Sequence, residues 1–196
     1  MPRQQRSSRR GLICEAALDL AAEGGNHALT HQAIDTRLAL PRGSTSYYYR
    51  TRHALVSAAV THLTRTSAER FAATVPSQPP ASADEAAHFI AGYLEALFAE
   101  RRRDLLARYA LVTDAAKDDE LRVRLGACLF SPTPACELMD ALGSSTPELA
   151  AHDLIGLLEG LVFQYTAGSR GSEPPSSGAL QATIALWLAA LTRSDG

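Results

Sequence analysis

The sequence predicts an all-α protein, on three observations. No stretch alternates apolar and polar residues with the period of two that a half-buried strand requires. Apolar residues instead recur at spacings of three and four along nearly the whole chain of 196 residues. Capping residues, glycines and prolines punctuate that pattern at intervals suited to about nine helices.

Leu12, Ile13, Ala16, Ala17, Leu20 and Ala21 share one face of a first helix, which Gly24 and Gly25 end by permitting a left-handed terminus. Thr30 caps a short second helix, with Leu29 and Ile34 at the spacing of a hydrophobic staple. A third begins at Pro41, whose missing N–H costs nothing in a first turn, and ends near Tyr48. Thr51 caps a long fourth helix carrying Leu55, Val56, Ala59, Val60 and Leu63, and the prolines within residues 76–80 break it. Ser82 and Glu85 form a capping box for a fifth, with Phe89, Tyr93, Leu94, Leu97 and Phe98 facing inward. Leu105, Tyr109 and Val112 continue the period in a sixth. A seventh covers residues 121–130, with Asp118, Asp119 and Glu120 at its positive end and Pro132 and Pro134 breaking or kinking it.

The last two helices are apolar on more than one side. Thr146, Pro147 and Glu148 open the eighth, which runs through Leu154, Leu157, Leu158, Leu161, Val162 and Tyr165. The final helix aligns Leu180, Ile184, Trp187, Leu188 and Leu191. A helix apolar on two sides must be buried on two sides, so a second subunit is expected over this pair. Gly156 and Gly160, one turn apart, each cost about 1 kcal/mol relative to alanine, which close approach of a helix across an interface would offset.

Charge is unevenly placed. Residues 1–70 hold ten arginines against five acids, whereas 71–196 hold nine basic residues against sixteen acids. A basic head on an acidic body implies a polyanion partner for the head alone. Cys14, Cys128 and Cys136 lack metal or disulfide spacing and read as buried thiols of a cytoplasmic protein, with a Cys128–Cys136 redox pair as the sharper alternative. The basic N-terminus is followed by an apolar run that Glu15 and Asp19 interrupt, so neither a signal peptide nor a membrane span is expected.

The second and third helices, joined by a short turn, form a helix-turn-helix, with Ile34 and Leu38 on one side and Thr45 and Tyr49 on the other. Residues 8–60 resemble the DNA-binding domain of the TetR (tetracycline-repressor) family. Thr30, Ile34, Leu40, Gly43 and Leu55 match its pattern, Arg52 stands at its lysine and Tyr49 at its phenylalanine. Asp35 replaces the usual alanine, Leu38-Ala39 the usual Ala-Gly, Pro41 the capping Ser/Thr and Ser46 a tyrosine.

The resemblance implies a domain of residues 1–60 that binds a palindromic double-stranded operator, and a helical regulatory and dimerisation domain of residues 61–196. Arg42 is the candidate guanine reader through a bidentate fork, with Ser44 and Thr45 in reach of bases or phosphates and Gly43 allowing close backbone approach. Tyr47 and Tyr48 offer hydroxyls to phosphates and ring edges to thymine methyls, while Tyr49 packs inward. Thr30 and Arg52 flank the site as phosphate clamps, and Arg3, Arg6, Arg9 and Arg10 form a basic arm.

For the body, the resemblance implies homodimerisation through the last two helices and a pocket for a small, mostly apolar effector. Phe89, Tyr93, Phe98, Tyr109, Phe130 and Phe163 are its candidate walls, with Glu159, His88 and the tyrosine hydroxyls as polar anchors. A repressor released by its ligand is the expected mode. No cofactor or metal is expected, His27 and His31 being poorly placed for one. Hydrolase and phosphate-loop motifs are lacking, so no enzyme is expected; the alternatives are an adaptor of the same fold or an all-α small-molecule enzyme.

Overall fold

The computed structural model describes residues 8–75, 79–173 and 175–193. It is all-helical among these residues: α1 (Arg9–Gly24), α2 (His31–Arg37), α3 (Ser44–Tyr48), α4 (Arg52–Ala72), α5 (Ala83–Glu100), α6 (Arg102–Ala115), α7 (Asp119–Gly126), α8 (Pro132–Ala141), α9 (Pro147–Thr166) and α10 (Ser177–Leu191), with a 3-10 turn at Asn26–Ala28. Arg9 and Arg10 of the expected arm open α1, and Arg3 and Arg6 lie outside the described residues.

The local signals explain most of the boundaries. Thr30 Oγ1 accepts from the Ala33 amide at 3.1 Å, and Thr51 Oγ1 from the Ala54 amide at 3.0 Å, each meeting an otherwise orphaned donor. Ser82 Oγ accepts from the Glu85 amide at 3.2 Å while Glu85 reaches back to the Ala81 amide at 2.8 Å, one residue earlier than a strict capping box. Leu29 and Ile34 are fully buried, as a staple requires. Thr146, in contrast, makes no side-chain cap bond.

Three expectations are corrected. The third helix begins at Ser44, not Pro41, because residues 41–43 form a turn closed by the Ser44 amide on the Pro41 carbonyl at 3.1 Å. Val112 is 47% exposed and leaves the inward face of α6. Pro132 and Pro134 do not interrupt a helix but start one: α7 stops at Gly126, and both prolines sit in the first turn of α8, where no intrahelical acceptor needs their absent N–H. Ten helices result among the described residues.

The chain divides into two compact units, each discontinuous in sequence: Met1–Glu69 with Arg103–Cys128, and Arg70–Arg102 with Leu129–Gly196. The first unit buries Ile13, Leu18, Leu29, Ile34, Leu55, Leu63, Leu105 and Leu111. Within the same unit, polar contacts join α1, α4 and α6: Glu15 binds His62 Nε2 at 2.5 Å and pairs with Arg103, which also meets Asp19 at 3.3 Å. The second unit packs α5 on α10 and α8 on α9. Leu94, Leu97, Met139, Leu154, Val162, Ile184 and Leu188 fill it, each large side chain contributing about 1.5–3 kcal/mol of burial. Arg102 spans back to the end of α9, donating to the carbonyls of Tyr165, Thr166 and Gly171 at 3.2, 3.3 and 2.9 Å.

Candidate nucleic-acid interface and ligand cavity

The corner between α2 and α3 is held by Asp35. Its carboxylate is buried and accepts through Oδ2 from the Gly43 amide at 2.7 Å, and through Oδ1 from the Thr45 amide at 2.8 Å and hydroxyl at 2.7 Å. Gly43, at φ +90°, adopts a backbone that only glycine takes without strain, and it has no side chain with which to cap α3. Asp35 caps that helix from across the corner instead. Burial pushes its pKa up, but the Thr45 hydroxyl, the two amides and nearby His31 outweigh burial and hold it below the ordinary carboxylate value.

The end of α2 carries a strained residue. Leu40 N–H bonds the Asp35 carbonyl at 2.8 Å and Ala39 N–H the Thr36 carbonyl at 3.2 Å, the double closure of a Schellman motif. That motif demands a left-handed residue, and Ala39 supplies it at φ +50°. This is the position at which the repressor pattern has glycine.

On this frame the predicted DNA contacts separate into two sets. Thr30, Arg42 and Tyr47 are exposed, Tyr47 at 83%, and Tyr48 is half-buried with its ring edge-on to Tyr47 at 5.4 Å between centroids. Thr30 spends its oxygen as the cap acceptor and keeps its O–H to donate. The other set is already engaged. Thr45 is fully buried on Asp35, so it shapes the corner rather than touching DNA. Ser44 donates its hydroxyl to the Pro41 carbonyl at 2.6 Å, and Gly43 turns its N–H inward to Asp35.

Arg52 is likewise engaged, as a fork on Asp114 of α6, the Nη2–Oδ2 bond being 3.1 Å, with a further bond to the Asn26 carbonyl at 2.8 Å. Hydrogen bonding to Asp114 raises its pKa against partial burial. Its place in this structure is a brace between the 3-10 turn, α4 and α6, not a free phosphate anchor. Asn26 Nδ2 reinforces the brace by donating to Thr113 at 2.8 Å.

Tyr49 points away from the exposed face. Its hydroxyl lies 3.6 Å from Cys14 Sγ, and its carbonyl meets His31 Nε2 at 2.7 Å. Burial, followed by the Cys14 hydrogen bond, pushes its phenol up to about 12. Asp35 and Ala39 are the shaping residues to which motif matching alone assigns no role.

The second unit contains a cavity of about 380 Å³, within the range of small-molecule sites. Phe89, Tyr93 and Phe130 line it as expected, joined by Phe71, Pro134, Leu138, Leu154 and Leu158. Phe71, Tyr93 and Phe130 form an edge-on chain with centroids 5.2 and 6.4 Å apart. Tyr109, Glu159 and Phe163 are not among the lining residues. Tyr109 belongs to the first unit, Phe163 is 48% exposed on α9, and Glu159 is replaced as the wall's carboxylate by Glu137. Phe98 packs on Tyr165 at 5.5 Å, and His88 lies 3.4 Å from Gln181. Neither lines the cavity. No cluster able to hold a metal, and no helix long and apolar enough to cross a membrane, occurs among the described residues.

Residues 81–193 match the family described as tetracyclin repressor-like, C-terminal domain. A comparison with curated proteins gives no match. Among solved structures, the chain is similar to a transcriptional regulator from Rhodococcus sp. Rha1, with a TM-score of 0.78 at 19% identity over 94% of this chain and 96% of that one. It is also similar to a TetR-family member from Streptomyces coelicolor A3, at TM-score 0.71 and 21% identity over 92% and 98% of the two chains. The multidrug binding protein EbrR complexed with ethidium aligns at TM-score 0.68 and 23% identity over 93% and 99%. At these identities the likeness establishes the fold.

Proposed function

Because this chain belongs to the tetracyclin repressor-like (TetR) family, we propose that it is a DNA-binding transcriptional regulator whose operator affinity is set by a small molecule in the cavity of the second unit. The observation that carries this reading is the Asp35-capped corner, which buries Thr45 and leaves Arg42 and Tyr47 on the exposed side. A guanidinium suits the O6/N7 edge of guanine and a phenol suits phosphate oxygens or a thymine methyl. Thr30 supplies a flanking phosphate donor.

The protein acts as a homodimer and reads a palindrome, since two-fold symmetry repeats the recognition helix on the DNA. The support is α9, where Leu149 is 60%, Leu157 37% and Phe163 48% exposed. A Cβ added at Gly156 or Gly160 would meet nothing within 4 Å in the chain itself. Such a face suits a second copy.

An effector changes DNA affinity only through unequal affinity for binding-competent and incompetent arrangements. Phe71, in the last turn of α4, lines the cavity, and α4 starts four residues after α3 ends. A ligand therefore acts directly on the helix that follows the recognition helix, and repression relieved by ligand is the mode proposed. EbrR's complex with ethidium makes an aromatic effector a reasonable class.

Gel retardation with the DNA flanking the protein's own gene tests the reading. Tight, salt-sensitive, sequence-selective retardation is expected. Absence of retardation at low salt would overturn it.

A further inference from the structure

α3 is five residues long, little more than one turn, and a helix that short does not hold its own geometry in water. Side chains of α2 hold it at both ends. At the N-terminal end Asp35 accepts from the Gly43 and Thr45 amides and from the Thr45 hydroxyl. At the C-terminal end His31 Nε2 lies 2.7 Å from the Tyr49 carbonyl. A carbonyl oxygen only accepts, so this nitrogen carries the proton and donates. A helix end leaves its last carbonyls without an intrahelical donor, and half-buried His31 supplies one.

These bonds form a closed circuit. His31 and Asp35 stand one turn apart on α2 and so share a face. Asp35 holds Thr45, the Thr45 carbonyl accepts from the Tyr49 amide at 2.9 Å, and the Tyr49 carbonyl returns to His31. Tyr47 and Tyr48 lie between the two held residues of α3, and Arg42 immediately precedes the Gly43 amide that Asp35 fixes. The Tyr49 side chain is anchored separately, its hydroxyl 3.6 Å from Cys14 Sγ on α1. The backbone at the tyrosine end is therefore set by His31, and the backbone beside Arg42 by Asp35.

We propose that His31 is a positioning residue for sequence reading: its bond to the Tyr49 carbonyl fixes the C-terminal end of α3 and thereby decides which base pairs Tyr47 and Tyr48 reach. This role rests on the proposed reading of the exposed side of α3 as the DNA contact and adds the side chain that sets its pose. His31 acts on direction rather than on net charge. Its loss lowers selectivity and leaves the sequence-independent attraction of phosphates in place.

Quantitative gel retardation of the full chain provides the test, with the duplex upstream of its own gene, versions of it changed one base pair at a time, and a shuffled duplex of equal composition. His31→Phe keeps a ring and removes the donor, whereas His31→Gln restores an N–H near the place of Nε2. His31→Phe is expected to weaken binding to the upstream duplex by about ten-fold, the effect of about one misread base pair, while the shuffled duplex and the salt slope stay as in wild type. The positions that lose their influence are expected to differ from those lost in Arg42→Ala. His31→Gln is expected to recover most of the selectivity. Equal weakening on both duplexes, unchanged selectivity in His31→Phe, or a His31→Gln no better than His31→Phe would overturn the role of His31 while leaving the regulator reading intact. A His31→Phe chain that does not fold, as judged by circular dichroism, would make the residue structural and overturn it as well. A wild-type chain that binds the upstream and shuffled duplexes equally would overturn the regulator reading, and this role with it.

Discussion

Asp35 is the residue on which the candidate interface turns. It occupies a position at which the repressor pattern has alanine, and it satisfies three donors that an alanine would leave to other partners. Asp35→Ala is expected to cost about 2–4 kcal/mol, because the buried Thr45 amide and hydroxyl and the part-buried Gly43 amide lose their acceptor, and urea denaturation checks it. Ala39 shows the opposite case, an L-residue held at φ +50°. Ala39→Gly relieves that conformation, and after the greater entropy of an unfolded glycine a net gain of about 0.5–1 kcal/mol is expected in the same assay. Tyr49 gives a pH signature. Its phenol is raised to about 12 from an ordinary value of 10.0, by burial first and then by Cys14. A raised folded value means that its contribution is complete below the unfolded pKa and is lost as pH rises through the folded one. Wild-type stability is thus expected to fall between about pH 10 and 12 more steeply than that of Tyr49→Phe, as read by circular dichroism. These three residues differ in how legible they are from sequence. Tyr49 is placed inward by the resemblance, since it stands at the pattern's phenylalanine, whereas Asp35 and Ala39 are visible in sequence only as departures whose structural meaning requires the turn.

At the scale of elements, caps and apolar spacing identify nine helices because those signals act within a single turn. Thr30, Thr51, Ser82 and Asp118 all accept from the amide three residues on. The tenth, α8, is obscured because proline is a breaker in a helix interior and a starter in a first turn, and the sequence around Pro132 and Pro134 does not distinguish the two. That ambiguity also conceals Glu137, which lies on α8. Phe71 is missed for a different reason: it belongs to the end of α4, whose earlier apolar residues serve the other unit. Arg52 is identifiable as a cation, but its partner Asp114 is 62 residues away, a separation no local pattern reports. On α9, the glycine pair separates an interface from a tolerated helix weakness. On the proposed homodimer reading, Gly160→Leu is expected to convert dimer to monomer in light scattering, since the side chain would occupy the approach of a second helix. Its helix propensity would otherwise only raise stability, by about 1 kcal/mol, without changing association.

For the molecule as a whole, charge divides between the two units almost as sharply as it divides along the chain. The unit containing α2 and α3 holds fourteen basic residues against ten acids, and the cavity-bearing unit five against eleven. A net positive charge suits the first unit to the phosphate backbone proposed as its partner. The central claim is that two symmetry-related copies of α3 read DNA through Arg42. Footprinting of the full chain on the DNA upstream of its own gene tests that claim most directly. Two protected half-sites with centres about 34 Å apart are expected, with protection lost in Arg42→Ala while weak non-specific binding persists. A single protected site, or a footprint that Arg42→Ala leaves intact, would contradict it.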